Sequence, residues 1–83
     1  MSFTVVVQET ALRALARIRA EDNESFASIR QALAALAEQP HPDEAVAWGG
    51  SGIYRLHLPG IRILYELDEH TATVYVINVA VTA

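Results

Sequence analysis

Residues 54–66 decide the fold of this chain, and they read Tyr54-Arg55-Leu56-His57-Leu58-Pro59-Gly60-Ile61-Arg62-Ile63-Leu64-Tyr65-Glu66. Apolar and polar residues alternate on both sides of Pro59-Gly60, and this period of two is typical of half-buried strands. A two-residue turn at Pro59-Gly60 would join the strands as a hairpin. His57 would then pair with Arg62, and Arg55 would pair with Leu64.

The two faces of this hairpin differ in chemistry. One face is predicted to pack in the core, and its members are Tyr54, Leu56, Leu58, Ile61, Ile63 and Tyr65. The other face would carry Arg55, His57 and Arg62. A register shift of one residue would bury these three polar side chains without partners, which a small, marginally stable domain cannot sustain. The turn and the charge pattern therefore predict the same register.

The composition predicts one compact domain over residues 1–83. Hydrophobic residues make up 52% of the chain and charged residues 19%, which excludes a disordered protein. The absence of cysteine excludes disulfide and thiolate chemistry and suits a reducing cytoplasm. The sequence shows neither a signal peptide nor an apolar run of about 20 residues. We therefore expect a cytoplasmic protein without membrane contact.

The net charge is −4, and all six cations are arginine. Nucleic-acid-binding proteins usually present a basic surface, because contacts to phosphate dominate their affinity. The acidic total argues against tight, independent binding to RNA or DNA. It is compatible with a small basic patch that acts within a larger assembly.

Two helices are predicted after a first strand at residues 3–8. The first helix would have Thr10 as its N-cap and would run to about residue 20. The second would be capped by Asp22 or Asn23 and would end at Pro40-His41-Pro42, because proline lacks an amide hydrogen and disfavours helix in the preceding residue. The apolar stripes of the two helices contain Leu12, Leu15 and Ile18, and Phe26, Ile29, Leu33 and Leu36.

A loop at residues 43–51 and three strands at 53–58, 61–67 and 72–81 would complete the chain. The element order is then β-α-α-β-β-β, an α+β fold in which a helical hairpin packs on an antiparallel sheet. Which side chains of the last strand share the face of Arg62 is open, because it depends on the length of the turn before that strand. An even number of turn residues places Tyr75 and Ile77 on the Arg62 face, and an odd number places Val74 and Val76 there.

Arg55, His57 and Arg62 are the candidate catalytic residues. Arginine binds phosphate through two parallel hydrogen bonds, and histidine gives or takes a proton near neutral pH. The group is therefore typical of a phosphate-binding site with a proton-transfer residue. The alternative interpretation is a solvated polar strand face without a site, because such faces are common on antiparallel sheets.

Other residues carry weaker signals. His41 is predicted in a loop between two prolines, and His70 in a solvated turn beside Glu69. No metal-ligand spacing is present, so we expect no metal and no cofactor. Trp48 is predicted to pack on the sheet edge rather than to serve as an exposed anchor. The glycine run at 49–52 lacks the lysine and the helix of a phosphate-binding loop.

The sequence resembles the RelE/ParE superfamily of bacterial toxins from type II toxin–antitoxin modules, and its RelE-like members in particular. The resemblance is carried by residues 4–7, 11–15, 29–33 with Leu36 and Pro40, 54–58 and 60–68, of which the last two are the most specific. It extends over nearly the whole chain and implies the RelE-like toxin fold, with the same β-α-α-β-β-β order.

The resemblance also implies an activity. RelE-like toxins bind in the ribosomal decoding site, cut messenger RNA there and so inhibit translation. By resemblance, Arg55 and His57 stand at basic positions of one strand, and Arg62 matches the arginine of the next. Arg55 and Arg62 would stabilise charge on the scissile phosphate, and His57 would be the general base or acid.

Residues 77–83 depart from the family pattern. RelE-like toxins usually close the last strand with a glycine and basic residues, often with a tyrosine beyond, whereas residues 77–83 contain neither arginine nor tyrosine. Because loss of a transition-state arginine commonly lowers the rate by orders of magnitude, a weakened or inactive nuclease is one alternative. A second alternative is a non-enzymatic protein, either a ParE-like gyrase poison or a module that binds only an antitoxin.

The resemblance implies protein partners as well. A cognate antitoxin would cover the helix surface and the sheet edge with an amphipathic helix or an extended segment, in an assembly such as a heterotetramer. Leu12, Leu36 and Trp48 are hypothetical contacts. The ribosome and messenger RNA would be further partners of an active toxin.

Overall fold

The computed structural model describes residues 2–50 and 52–82. Within these residues, two helices pack on a five-stranded sheet, which makes the fold α+β as predicted. The elements are β1 (Thr4–Val7), α1 (Glu9–Glu21), α2 (Asn23–Glu38), β2 (Ala45–Ala47), β3 (Ile53–Leu58), β4 (Ile61–Asp68) and β5 (Thr73–Val81).

The sheet is mixed rather than purely antiparallel. Its strand order is β1-β5-β4-β3-β2, and β1 runs parallel to β5 while all other neighbours are antiparallel. The prediction of an antiparallel sheet is therefore wrong for β1. Parallel pairing needs a long connection between the strands. The two helices and three strands between β1 and β5 supply it.

The predicted loop at 43–51 contains an additional strand. In β2, Val46 lies opposite Arg55 and Ala47 lies opposite Tyr54, so β2 forms one edge of the sheet. A strand of three residues is too short to show alternation, and its pairing depends on the neighbouring strand rather than on its own sequence. Ser51, at the end of the predicted loop, lies outside the described residues.

Helix α1 begins differently from the prediction. Thr10 lies inside the helix, and Gln8 is the N-cap without a side-chain hydrogen bond. Instead, the backbone N–H of Gln8 donates to the carbonyl oxygen of Val76 at 3.0 Å. A tertiary contact to β5 thus fixes the start of α1. Leu12, predicted in the apolar stripe, is 54% exposed, and the buried residues of α1 are Ala11, Ala14 and Ile18.

Helix α2 begins as predicted at an Asp22 cap. The Asp22 carboxylate accepts hydrogen bonds from the Ser25 backbone N–H at 3.0 Å and from the Ser25 hydroxyl at 2.7 Å. These bonds, the one to the hydroxyl first, lower the pKa of Asp22.

The sheet face that packs against the helices, here called the inner face, forms the core. Along each strand, its residues alternate with residues of the opposite face, as the sequence predicts. The buried members on the strands are Leu56, Ile61, Ile63, Tyr65, Leu67, Val74, Val76 and Val79. The Tyr65 hydroxyl donates to the carbonyl oxygen of Pro40 at 2.7 Å, and burial, followed by the neighbouring Tyr54, raises the pKa of Tyr65 to about 12.

The turn before β5 decides which of its side chains lie on each face. Asp68 pairs with Thr73, so the number of residues between them is even. Tyr75 therefore lies opposite Glu66, and Val74 is buried on the inner face. A bulge between Leu64 and Tyr65 shifts the register, and Ile77 is left without a partner in β4. The even-turn alternative therefore holds for Tyr75.

Candidate functional site

The sheet face opposite the helices, here called the outer face, carries the predicted trio. His57 pairs with Arg62 and Arg55 pairs with Leu64, which confirms the register predicted from the alternation. Gly60 has a φ of +73°, a conformation that glycine adopts without strain and that a Pro-Gly turn requires. All three side chains of the trio are half-buried.

The imidazole and the guanidinium of the His57–Arg62 pair are direct cross-strand neighbours. Cβ atoms of such pairs lie about 4.5–5.5 Å apart, within reach of one another's side chains. The backbone N–H of His57 donates to the Glu44 carbonyl oxygen at 3.2 Å, so the segment before β2 holds this part of β3. A proton-transfer group and a cation therefore stand side by side.

Arg62 is fixed at the hairpin turn. Its Nη1 donates to the carbonyl oxygens of Ile61 at 3.2 Å and of Leu58 at 3.4 Å. Only one nitrogen of the guanidinium makes these contacts. The planar fork of arginine has further N–H donors that point to other directions and remain suited to an anion.

Arg55 is held by a different contact. Its Cζ lies 3.5 Å from the centroid of the Trp48 ring, which is a close cation–π stack. Trp48 follows β2, at the sheet edge where it was predicted to pack. It nevertheless remains 47% exposed, so it combines packing on Arg55 with an accessible surface.

A cavity of about 290 Å³ opens between the two arginines. Its lining consists of Arg55, Arg62, Leu64, Asn78, Val79 and Ala80. Among the described residues, the lining has two cations and no carboxylate, so its chemistry favours an anionic group such as a phosphate. A larger cavity of about 390 Å³ between α2 and β3 is mostly apolar and has no cation in its lining.

Asn78 in this cavity, and the contact between Trp48 and Arg55 beside it, were not predicted from the sequence. Asn78 enters because β4–β5 pairing places it opposite Leu64, and its Oδ1 accepts from the Val79 backbone N–H at 2.9 Å. A single asparagine within an otherwise apolar strand is the signal that could have identified it. The contact between Trp48 and Arg55 required knowledge of β2, which the sequence pattern did not reveal.

The other histidines lie away from this cavity. His41 is in the loop before β2, where its Nε2 lies 3.7 Å from Glu69 Oε1 and its ring meets Tyr54 edge-on at 5.3 Å between centroids. His70 is exposed in the turn before β5. Within residues 2–50 and 52–82, no group of three or more His, Cys, Asp or Glu residues is arranged to hold a metal ion.

Comparison with known families identifies the class of protein that this fold and site define. Residues 5–82 match the model of the ParE toxin of the type II toxin–antitoxin system parDE. The chain therefore belongs to the ParE toxin family, and it is a toxin of a type II toxin–antitoxin system within the RelE/ParE superfamily.

Solved structures of related toxins share the fold. The toxin–antitoxin complex RelBE2 from Mycobacterium tuberculosis matches with a TM-score of 0.84 and 20% identity, over 98% of this chain and 99% of that one. The isolated E. coli RelE toxin matches with a TM-score of 0.83 and 19% identity, over 99% of this chain and 86% of that one. The archaeal RelE–RelB complex from Pyrococcus horikoshii OT3 matches with a TM-score of 0.72 and 20% identity, over 98% and 96%.

Two further searches, one of known proteins and one for membrane-spanning helices, give no match. A search of curated proteins finds no match to the sequence. Neither helix in the described part of the chain combines the length and the apolar character that crossing a membrane requires.

Proposed function

We propose that this toxin cuts messenger RNA held in the ribosome and thereby inhibits translation. The observation that carries the proposal is the cross-strand pair of His57 and Arg62, with Arg55 on the same face. Cleavage of RNA by its own ribose 2′-hydroxyl needs a group that moves a proton near neutral pH and cations that stabilise the phosphate. The trio contains both components.

The proposal gives each residue of the trio its own role. His57 removes the proton from the 2′-hydroxyl, whose oxygen attacks the adjacent phosphorus and displaces the 5′ oxygen of the next nucleotide. The displaced oxygen takes its proton from water. Arg62 and Arg55, which line the cavity, offset the negative charge that builds on the other phosphate oxygens.

The acidic charge of the chain supports dependence on the ribosome. With a net charge of −4 and three basic side chains on the site, the protein has few contacts with which to hold RNA by itself. A message already fixed by the ribosome would need only local recognition at one phosphate. Binding in the ribosome would thus supply the affinity that the toxin surface lacks.

A cognate antitoxin is the partner we expect. Three of the matched structures are toxin–antitoxin complexes: RelBE2 from Mycobacterium tuberculosis, the intact RelBE complex from E. coli, and the RelE–RelB complex from Pyrococcus horikoshii OT3. Of the three hypothetical contacts on this chain, Leu12 and Trp48 are about half exposed and available to a partner. Leu36 is 1% exposed, so its proposed contact with an antitoxin is wrong.

A non-enzymatic toxin that poisons gyrase is the second candidate. The matched family model is that of ParE toxins, and β5 (Thr73–Val81) contains no arginine. Both observations favour inhibition by binding over catalysis.

Purified components separate the two candidates. The toxin is incubated with ribosomes programmed with a defined message, with the same message alone, and, in a parallel reaction, with gyrase and supercoiled DNA. The nuclease proposal expects cuts inside codons that appear only with ribosomes. Intact message together with trapped gyrase–DNA complexes would reject it in favour of the second candidate.

A further inference from the structure

We propose that Trp48 is a positioning residue, which holds the Arg55 guanidinium at the cavity so that its N–H groups meet a phosphate bound between Arg55 and Arg62. The inference rests on the proposed function, because the phosphate belongs to the RNA chain in that proposal. Trp48 itself touches Arg55 and does not line the cavity.

The sheet edge places Trp48 beside Arg55. Val46 lies directly opposite Arg55, and Trp48 follows two residues later, on the same face of the strand. The backbone N–H of Trp48 donates to the Ile53 carbonyl oxygen at 2.8 Å, which continues the pairing of β2 and β3 beyond Ala47. The backbone therefore fixes the indole ring next to the guanidinium, at 3.5 Å from ring centroid to Cζ.

Stacking leaves the donors of Arg55 available. The 3.5 Å between Arg55 Cζ and the ring centroid leaves no room for an N–H group between them, so the guanidinium must stack on the indole with its face. Its five N–H groups lie in its own plane and therefore point away from the ring. Among the described residues, the Arg62 guanidinium donates to two carbonyl oxygens, and no hydrogen bond donated by the Arg55 guanidinium is present. The edge of the Arg55 fork is thus suited to a phosphate.

Without the ring, little would restrict Arg55. Its cross-strand neighbours are Val46 and Leu64, which are apolar and have no side-chain acceptor. A long arginine side chain then samples many rotamers, and binding a phosphate selects a few of them. The conformational entropy lost in this way weakens the binding. Trp48 restricts them in advance, which is preorganisation of the binding group.

The test is a titration of isotope-labelled protein with inorganic phosphate, followed by heteronuclear NMR at an ionic strength kept constant with sodium chloride. Trp48 is the only tryptophan, so the single indole N–H signal reports on it directly. We expect saturable shifts of this signal and of the Arg55 Nε–H signal. Trp48→Ala should weaken phosphate binding about two- to fivefold, and Trp48→Phe should retain most of the affinity because an aromatic ring remains.

A double-mutant cycle isolates the positioning role. Arg55→Lys keeps the charge but loses the planar fork, so adding Trp48→Ala to Arg55→Lys should weaken binding no further. Gln31→Ala, a change of an exposed residue on α2, is the control and should leave the affinity unchanged. The amide spectrum verifies folding, and should Trp48→Ala unfold, the cycle is run with Trp48→Leu, which also lacks a ring.

Each result decides a different question. Parental affinity in Trp48→Ala, or losses that multiply in the double variant, would overturn the positioning role. The absence of saturable shifts in the parent protein would overturn the phosphate site as well. Because the titration uses the isolated toxin, uncut message on ribosomes would reject the proposed nuclease while leaving this result intact.

Discussion

Ile63 and Arg62 are neighbours on β4, yet Ile63 is 0% exposed against the helices while Arg62 lies half-buried on the outer face beside His57. The same contrast extends along β3, where buried Leu56 separates Arg55 from His57. Because successive side chains of a strand point to opposite faces, a single hairpin supplies both surfaces. In a chain this small, one face of β3 and β4 stabilises the fold and the other is available for a site.

The largest expected effect comes from a substitution that changes the outer face and leaves the core intact. His57→Gln keeps hydrogen-bonding capacity but cannot transfer a proton, so cleavage of ribosome-bound message should fall about 10²–10⁴-fold. The free energy of unfolding should stay within about 0.5 kcal/mol of the parent, because His57 is only half-buried and lies outside the core. His41→Gln, in the loop before β2, is the matched control. Parental cleavage by His57→Gln would show that the outer face is not the site.

The inner face should respond in the opposite way. Ile63→Ala leaves a cavity beneath the helices and should lower the free energy of unfolding by about 2–5 kcal/mol. Urea titration followed by Trp48 fluorescence measures this loss. Leu12→Ala is the control, because Leu12 is 54% exposed and its truncation should cost no more than about 0.5 kcal/mol. Equal stability of the two variants would contradict the assignment of the core.

Tyr65→Phe sharpens the comparison within the inner face. It removes the hydroxyl that donates to the Pro40 carbonyl oxygen at 2.7 Å, and the expected loss of stability is about 1–2 kcal/mol. Since burial raises the pKa of Tyr65 to about 12, its contribution is complete below pH 10 and is lost as the pH rises from 10 towards 12. Urea titrations across this range should show a steeper decline for the parent than for Tyr65→Phe. Parallel declines would mean that another group dominates.

Glu66→Gln should have the smallest effect. Glu66 is exposed on the outer face, opposite Ile53 and Tyr75, and it does not line the cavity between the arginines. The free energy of unfolding should change by no more than about 0.5 kcal/mol, and cleavage should remain near the parental rate. A large loss of cleavage would show that the site extends along β4 beyond the trio.

The hairpin and the edge strand also show what a sequence alone can predict. The alternation of apolar and polar residues around Pro59-Gly60 specifies both faces and the register, so the structure repeats the predicted pairs. Thr4–Val7 was recognised as a strand, but its parallel pairing with β5 depends on tertiary packing. Strand β2 has three residues and no period, and it forms because β3 offers a partner. The Trp48–Arg55 stack was missed for the same reason.

The measurement that tests the division of the two faces most directly compares Arg62→Ala with Arg62→Lys, for cleavage of ribosome-bound message and for urea unfolding. We expect Arg62→Ala to lose about 10²–10³-fold in cleavage, with Arg62→Lys recovering part of it through the retained charge. The free energy of unfolding of both should remain within about 1 kcal/mol of the parent. Unchanged cleavage in Arg62→Ala, or a loss explained by unfolding, would contradict the assignment of chemistry to the outer face.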